Sequence, residues 1–494
     1  MILLKFLKLK QFILLIILFA IFIMFRSYLC HSFIFADDTD TSRLFLNFKD
    51  ILFNKPSNGI YISSFLDRIF AANLPFLLNI HPSSFKSEYF SAIEAFLLIF
   101  FISILSASMK KNLNYICLFL FSTAIILYTI QMQPFLLFVY DGFFRMLLPV
   151  FMFIALFLLC IKNKTKISFI SMPVLTFLCS ISNEMICVTT LIGFFLYSAI
   201  AFYKQNKYKY LYFVCTLSAF AGMSLLFHTG AFFRKIPSLV LFDMDFILVS
   251  LNSFGEFTKD YIKYIFLYHI FAYSLLIFQG IFLRFKLKNC ETGLGLIICF
   301  NIGILIFFAA LIFLGKTHAN QYWIVHEDLH VIYSIVLCTF NMVLAQTAIN
   351  SNLFNAHFVN YILIIMTFTL LCKNYLFYEH FIKYEIDFLR IETYKAEKIL
   401  IYANQKNKTA YIDEICSKTP YLWALWYSTN DNNKNITYNN SPYIEYLNQF
   451  MHNKINVNYI FSEKEKTEKE FASNGGNFSR DELKNIDFNK IWLH

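Results

Sequence analysis

The sequence predicts an all-α polytopic membrane protein with about eleven membrane-spanning helices, and three observations lead to this prediction. The chain of 494 residues is 58% hydrophobic and 15% charged, with a mean hydropathy of +0.56, whereas a soluble domain carries roughly 25% charged residues. Its apolar residues form repeated runs, each long enough for an α-helix to cross a hydrocarbon core about 30 Å thick. Its basic residues cluster in alternate connections between those runs.

The apolar runs define the predicted spans. They lie near residues 11–30, 90–109, 113–131, 143–161, 167–184, 186–203, 210–228, 264–283, 293–315, 329–349 and 357–374. The first run follows KFLKLK, a start that also fits a signal peptide, but the run is long and no A-x-A cleavage pattern follows it. We therefore interpret it as a retained span.

The positions of Lys and Arg predict the orientation. One set of alternate connections carries basic residues without acidic ones; they are Lys5, Lys8, Lys10, Lys110, Lys111, Lys162, Lys164, Lys166, Lys204, Lys207, Lys209, Arg284, Lys286 and Lys288. The acidic residues collect in the other set; they are Asp37, Asp38, Asp40, Asp50, Asp67, Glu88, Asp141, Glu184, Asp243, Asp245, Glu256 and Glu327. Because Lys and Arg are enriched in cytoplasmic loops, the amino terminus is predicted to be cytoplasmic. The net charge of +10 follows this distribution and does not indicate a nucleic-acid partner.

The first external loop, residues 31–89, is the longest connection between predicted spans. Two of its stretches, 44–53 and 61–78, are apolar with helical spacing, which predicts short helices that lie in the membrane interface. Such a loop packs against the bundle and covers a cavity that opens to the outside.

The predicted division of the chain places the transmembrane bundle in residues 1–374 and a small external domain in residues 375–494. The connection near 350–356 has no Lys or Arg, so the charge pattern that orients the other spans does not extend to the last two. Within the external domain, KYEIDFLRIETYKAEKIL (383–400) has the spacing of an amphipathic helix.

An acidic cluster, Asp37, Asp38 and Asp40, follows the first span directly, with Arg43 one helical turn further on. One interpretation is a solvated turn or a helix cap. The other is a site that handles protons, metal or phosphate, because charge at the edge of a membrane is retained mainly where it lines a wet cavity.

Three short motifs join this loop on the predicted outer face. They are FVYDGFFRM (138–146), ISNEM (181–185) and HTGAFFRK (228–235). With the first loop, this layout resembles the GT-C class of glycosyltransferases, including uncharacterised bacterial members, over roughly residues 1–330. Relatives of this class usually have an aromatic residue after the acid pair, whereas this chain has Thr39 and Asp40.

The resemblance implies an inverting glycosyltransferase that takes a sugar from polyprenyl phosphate to a cell-envelope glycan or lipid acceptor. It would act on the periplasmic face of the inner membrane, with the C-terminal region also periplasmic. The chemistry needs a carboxylate base, for which Asp37 and Asp38 are the catalytic candidates. It also needs groups that bind substrate or the leaving phosphate; the candidates are Arg43, Lys86, Glu184, His228, Arg234 and Lys235. A divalent cation, Mg²⁺ or Mn²⁺, would be held by Asp38 and Glu184.

A competing motif is WIVHEDLHVIY (323–333), which contains His326, Glu327 and His330 in the zincin pattern. Two histidines one turn apart bind zinc in that pattern, and the glutamate activates water. Asp328 puts a charge where zincin helices have an uncharged residue. Zinc and a membrane metalloprotease therefore form the less favoured alternative. The others are a role for these residues in the glycosyl cavity, including metal binding there, and ordinary polar residues of the membrane interface without a function of their own.

Two further alternatives share the predicted topology. A flippase for lipid-linked sugars needs ionisable residues within spans in both halves of the bundle, whereas most charges of this chain lie between the spans. A polysaccharide polymerase or ligase usually has its large external loop in the second half of the chain, whereas here the longest such loop comes first.

Overall fold

The structure is a computed structural model of the chain. It describes residues 9–32, 34, 65–66, 68–107, 120, 135–161, 166–228, 295–304, 306–307, 356–413, 459–461 and 464–491. Within these residues the protein is mostly helical. The long helices of the bundle are α1 (Leu9–Leu29), α2 (Ser91–Ala107), α3 (Leu148–Ile161), α4 (Lys166–Ser180), α5 (Glu184–Tyr203), α6 (Lys209–His228), α7 (Gly295–Ile304) and α8 (Ala356–Phe381).

Three stretches of the described chain are helical, long and apolar enough to cross a membrane: Phe143–Cys160, Glu184–Tyr203 and Lys209–Leu226. They coincide with predicted spans. Shorter apolar helices, among them Leu15–Leu29 and Phe169–Ser180, lie at other predicted spans. The predicted spans near 113–131, 264–283 and 329–349 fall almost entirely outside the described residues, so the number eleven stays a prediction.

Close contacts between helices depend on glycine. At Gly193 in α5, a Cβ atom would lie 2.0 Å from Cδ1 of Phe300 in α7, and at Gly222 in α6 it would lie 2.5 Å from Cβ of Ser180 in α4. Since even one added carbon overlaps a neighbour at both places, these glycines allow the helices to approach. The ring of Phe300 in turn meets that of Phe153 edge-on, with ring centroids 5.1 Å apart.

Large apolar side chains lie on the outside of the bundle. Phe19, Ile170, Phe195 and Phe368 are each more than 60% exposed. Contact of such an apolar surface with water is unfavourable, whereas its contact with the hydrocarbon of a bilayer is favourable. The outside of these helices therefore suits a lipid environment.

The described part of the chain contains π-helical stretches that meet at one end of the bundle: Arg68–Asn73, Phe85–Phe90, Phe143–Leu147 and Ile382–Ile386. The ring of Phe70 lies 5.7 Å from that of Phe90 and 5.5 Å from that of Phe144. The rings of Phe138 and Phe381 lie 6.1 Å apart. We call this end the polar end; it comprises residues 26–32, 80–94, 137–147, 181–184 and 381–400. π-Helical turns are frequent at functional sites.

The C-terminal region packs on the polar end. Helix α8 continues through Ile382–Ile386 into α9 (Asp387–Gln405), which confirms the helix predicted over 383–400. The elements that follow are β1 (Ala410–Ile412), β2 (Tyr459–Phe461), α10 (Lys464–Ser473), α11 (Arg480–Lys484) and a 3₁₀ turn at Phe488–Ile491. Strands β1 and β2 pair in parallel, and this two-stranded sheet departs from the all-α prediction.

Helix α9 organises the C-terminal region. The Tyr394 ring meets the Phe488 ring edge-on at 5.8 Å, and the Lys398 amine lies 3.0 Å from the Glu482 carboxylate. Helix α11 begins with a capping box, in which Ser479 and Glu482 each accept the backbone N–H of the other. These contacts hold the last described residues of the chain against α9.

Candidate functional site

Most residues proposed from the sequence for the site lie outside the described residues. These are Asp37, Asp38, Arg43, Arg234, Lys235, His326, Glu327 and His330. The structure describes three others, Lys86, Glu184 and His228. All three belong to the polar end or to helices that begin or end there.

Lys86 is a buried cation of the polar end, with 0% exposure. Its amine donates a hydrogen bond to the Phe138 carbonyl oxygen and lies 4.7 Å from the centroid of the Tyr140 ring. Burial of an ammonium group is costly unless acceptors or aromatic faces replace water. Lys86 therefore joins the segment before α2 to the segment before α3.

Glu184 is the first residue of α5, and Asn183 caps this helix. The Asn183 side-chain oxygen accepts the backbone N–H of Met185 at 2.9 Å, and its amide nitrogen donates to the Arg145 carbonyl at 3.0 Å. The partly exposed Glu184 lies in the first turn, where the helix dipole favours a carboxylate. Since α6 returns antiparallel to α5, its last residue, His228, lies at the same end of the bundle.

Replacing Asn183 by Ala is expected to destabilise the protein by about 2 kcal/mol, because both the helix cap and the link to Arg145 are lost. Asn183→Ser restores the cap alone and should recover about half of that loss. Chemical denaturation of the purified protein in mild detergent measures both. If Asn183→Ala unfolds at the same denaturant concentration as the unchanged protein, Asn183 does not hold α5 in place.

His31, just after α1, forms an ion pair with the C-terminal region. Its Nδ1 atom lies 2.8 Å from Oδ1 of Asp387. Burial by itself lowers the pKa of His31, but hydrogen bonds to Asp387 and Cys30, with the negative charges of both, raise that pKa to about 9. The same helix, α9, sends Arg390 to the Cys30 carbonyl oxygen at 3.5 Å.

His81 forms a second pair, and this one is fully buried. Its Nε2 atom lies 3.1 Å from Oε2 of Glu397, and the two side chains are 1% and 0% exposed. Because Nδ1 of His81 accepts the backbone N–H of Ser83 at 3.2 Å, the ring proton lies on Nε2, towards Glu397. The Asn489 side chain accepts the backbone N–H of His81 at 3.0 Å.

Arg26 and Glu94 are two further ionisable groups of the polar end. Arg26, in the last turn of α1, donates to the Glu88 carbonyl oxygen at 2.9 Å. Glu94, in the first turn of α2, is 2% exposed. Charged side chains this close to apolar helices indicate a function or a specific structural role.

The described residues contain no group of three or more His, Cys, Asp or Glu side chains that could hold a metal ion. The residues proposed for zinc, His326, Glu327 and His330, are not among them. Of the pair proposed for Mg²⁺ or Mn²⁺, Glu184 is described and Asp38 is not.

The pairs made by His31 and His81 were not predicted from the sequence. A single histidine beside a span carries no motif, and their partners come from α9, more than 300 positions later in the chain. One signal was present: Asp387, Arg390 and Glu397 fall on one face of an amphipathic helix. That pattern is also typical of a solvated helix face, so it does not by itself indicate buried ion pairs.

Comparison of the chain with protein families, with curated proteins and with solved structures finds no match. The functional interpretation therefore depends on the residues of this chain and on the geometry of the polar end.

Proposed function

We propose that the protein is an inverting glycosyltransferase that moves a sugar from a polyprenyl-phosphate donor to a cell-envelope glycan or lipid acceptor. One observation supports it most: segments distant in the sequence meet at one end of an apolar bundle and bring ionisable groups there. Lys86, Glu184 and the end of α6 at His228 belong to this end. Such an end gives access both to lipid and to water.

The roles of the residues follow from the chemistry of sugar transfer. Asp37 or Asp38 takes the proton of the acceptor hydroxyl. Phosphate gains charge as it leaves, and Arg43, Arg234 and Lys235 stabilise that charge. Those five residues lie outside the described part of the chain.

Lys86, Glu184 and His228 have different roles in this proposal. Lys86 already contacts Phe138 and Tyr140, so we assign it to positioning the segment before α2. Glu184, which is partly exposed, and His228 orient the acceptor. Glu184 and Asp38 are the carboxylates that would hold Mg²⁺ or Mn²⁺ if the reaction uses a divalent cation.

The proposed site lies on the periplasmic face of a bacterial inner membrane, because the connections at the polar end carry the acidic residues and the opposite connections carry Lys and Arg. A flippase is the second candidate for the same lipid-linked sugar. A flippase needs ionisable residues within the spans, whereas those of the described residues gather mainly at the ends of the apolar helices. Flippase activity is therefore kept as one outcome of the test below.

Purified protein in liposomes with a labelled polyprenyl-phosphate sugar tests the proposal. We expect the sugar–phosphate bond to break, polyprenyl phosphate to appear, and the label to move to glycan or lipid extracted from the cell envelope. Addition of a chelator tests for a divalent cation in the same reaction. Movement of intact labelled lipid between leaflets would instead support the flippase, and neither change would overturn both candidates.

A further inference from the structure

One helix holds two histidines that are far apart in the sequence. His31 follows α1 and His81 precedes α2, while α9 supplies a carboxylate to each of them, Asp387 and Glu397. The residues between the two histidines include the acidic cluster. The contacts of α9 therefore fix the distance between His31 and His81, the two ends of the segment that contains the acidic cluster.

The contact at α1 is polar and partly exposed to water. The His31–Asp387 pair, 2.8 Å apart, has side chains that are 27% and 38% exposed. Arg390 reinforces it, because its guanidinium donates to the carbonyl oxygens of Cys30 at 3.5 Å and Ile486 at 3.3 Å. Because both side chains are partly exposed, His31 exchanges protons with the solvent.

The contact at the segment before α2 is buried and has more components. Besides its contact with Glu397, His81 donates its backbone N–H to the Asn489 side-chain oxygen, and its ring stacks on that of Phe488 with the ring centroids 5.2 Å apart. Residues 82–87 that follow His81 are buried as well. This contact is closed to solvent.

We propose that α9 is a clasp that joins the end of α1 to the segment before α2, and that the clasp loosens at His31–Asp387 as the pH rises. The His81–Glu397 contact is its permanent part. The clasp goes beyond the proposed glycosyl transfer and does not depend on it, since it is built from contacts of described residues alone.

The direction of the pH effect follows from the environment of His31. Among the described residues, Cys30 and Asp387 act on the His31 ring directly. Arg26 and Arg390 act on Cys30, and Glu88 acts on Arg390. Since the folded protein raises the pKa of His31 from 6.5 to about 9, the stabilisation by the pair is fully present below pH 6.5. It is lost as the pH rises through about 9. The hydrogen bonds of Arg390 to the carbonyl oxygens of Cys30 and Ile486 do not involve His31, so the contact loosens without separating.

Hydrogen exchange of the backbone amides of α9, in protein reconstituted into lipid nanodiscs, tests the clasp. After correction for the intrinsic rate, exchange in the first turns of α9 should be about fivefold faster above the pKa of His31 than at pH about 6.5. His31→Gln should exchange at the faster rate at both pH values, because glutamine carries no charge. Asp387→Asn should also exchange at the faster rate at both pH values, because it removes the negative charge that pairs with His31.

Glu465→Gln is the matched control. It also removes a carboxylate from an ion pair, here with Lys469 at 3.6 Å, but both side chains are highly exposed; exchange in α9 should not change. The clasp is overturned if the unchanged protein shows no pH dependence in α9, or if His31→Gln and Asp387→Asn both exchange like the unchanged protein at pH about 6.5. If one of the two variants fails to fold, the other decides.

Discussion

Replacing Asp37 or Asp38 by Asn is expected to lower glycosyl transfer by about 10²- to 10⁴-fold in the variant that loses the catalytic base. Asparagine keeps the size of the side chain but cannot accept the proton of the acceptor hydroxyl. The release of polyprenyl phosphate from the labelled donor, measured with each variant in liposomes, gives the rate.

Asp50→Asn is the matched control for this experiment, because it removes one carboxylate from the same predicted loop without touching the acidic cluster. We expect it to retain the rate of the unchanged protein. If both Asp37→Asn and Asp38→Asn also retain that rate at normal protein levels, neither residue is the base and the glycosyltransferase proposal loses its central group. If only one variant is slow, the experiment also shows which aspartate acts.

Replacing His81 by Phe is expected to destabilise the protein by about 3–5 kcal/mol, although Phe keeps an aromatic ring against Phe488. The loss arises because the Glu397 carboxylate, 0% exposed, stays buried without the imidazole that faces it. Glu397→Gln should cost less, about 1–2 kcal/mol, since its amide oxygen still faces Nε2 of His81. Denaturation in mild detergent measures both free energies of unfolding.

The double variant His81→Phe with Glu397→Leu separates charge burial from packing. It removes both members of the pair and should recover much of the stability that His81→Phe loses, because an apolar pair of similar volume needs no compensation for charge. A double variant that is as unstable as the sum of its single changes would show that the pair acts through packing alone. In that case the permanent part of the clasp would not depend on charge.

Several elements could be predicted from the sequence because their cause is local. Helix α9 has the periodicity of an amphipathic helix, and the long apolar runs that became α5 and α6 need only length and hydropathy to be found. The ISNEM motif likewise places an asparagine directly before a long helix, where its side chain caps. These features depend on residues within a few turns of one another.

The ion pairs of the polar end could not be predicted, because their partners are separated by hundreds of residues. His31 pairs with Asp387, and Lys86 contacts a backbone carbonyl, which no side-chain pattern can indicate. The π-helical turns before α2 and α3 have no recognisable pattern either. They lie where aromatic rings from separate segments, such as Phe70 and Phe144, contact one another.

The sequence by itself determined that this chain is helical, rich in apolar runs and divided between a basic and an acidic set of connections, since composition and periodicity act along the chain. Only the tertiary structure decided that the C-terminal helix binds the residues on either side of the acidic cluster. The physical reason is that burial of a charged group costs much free energy unless a partner lies beside it. Folding, rather than the order of residues, brings those partners together.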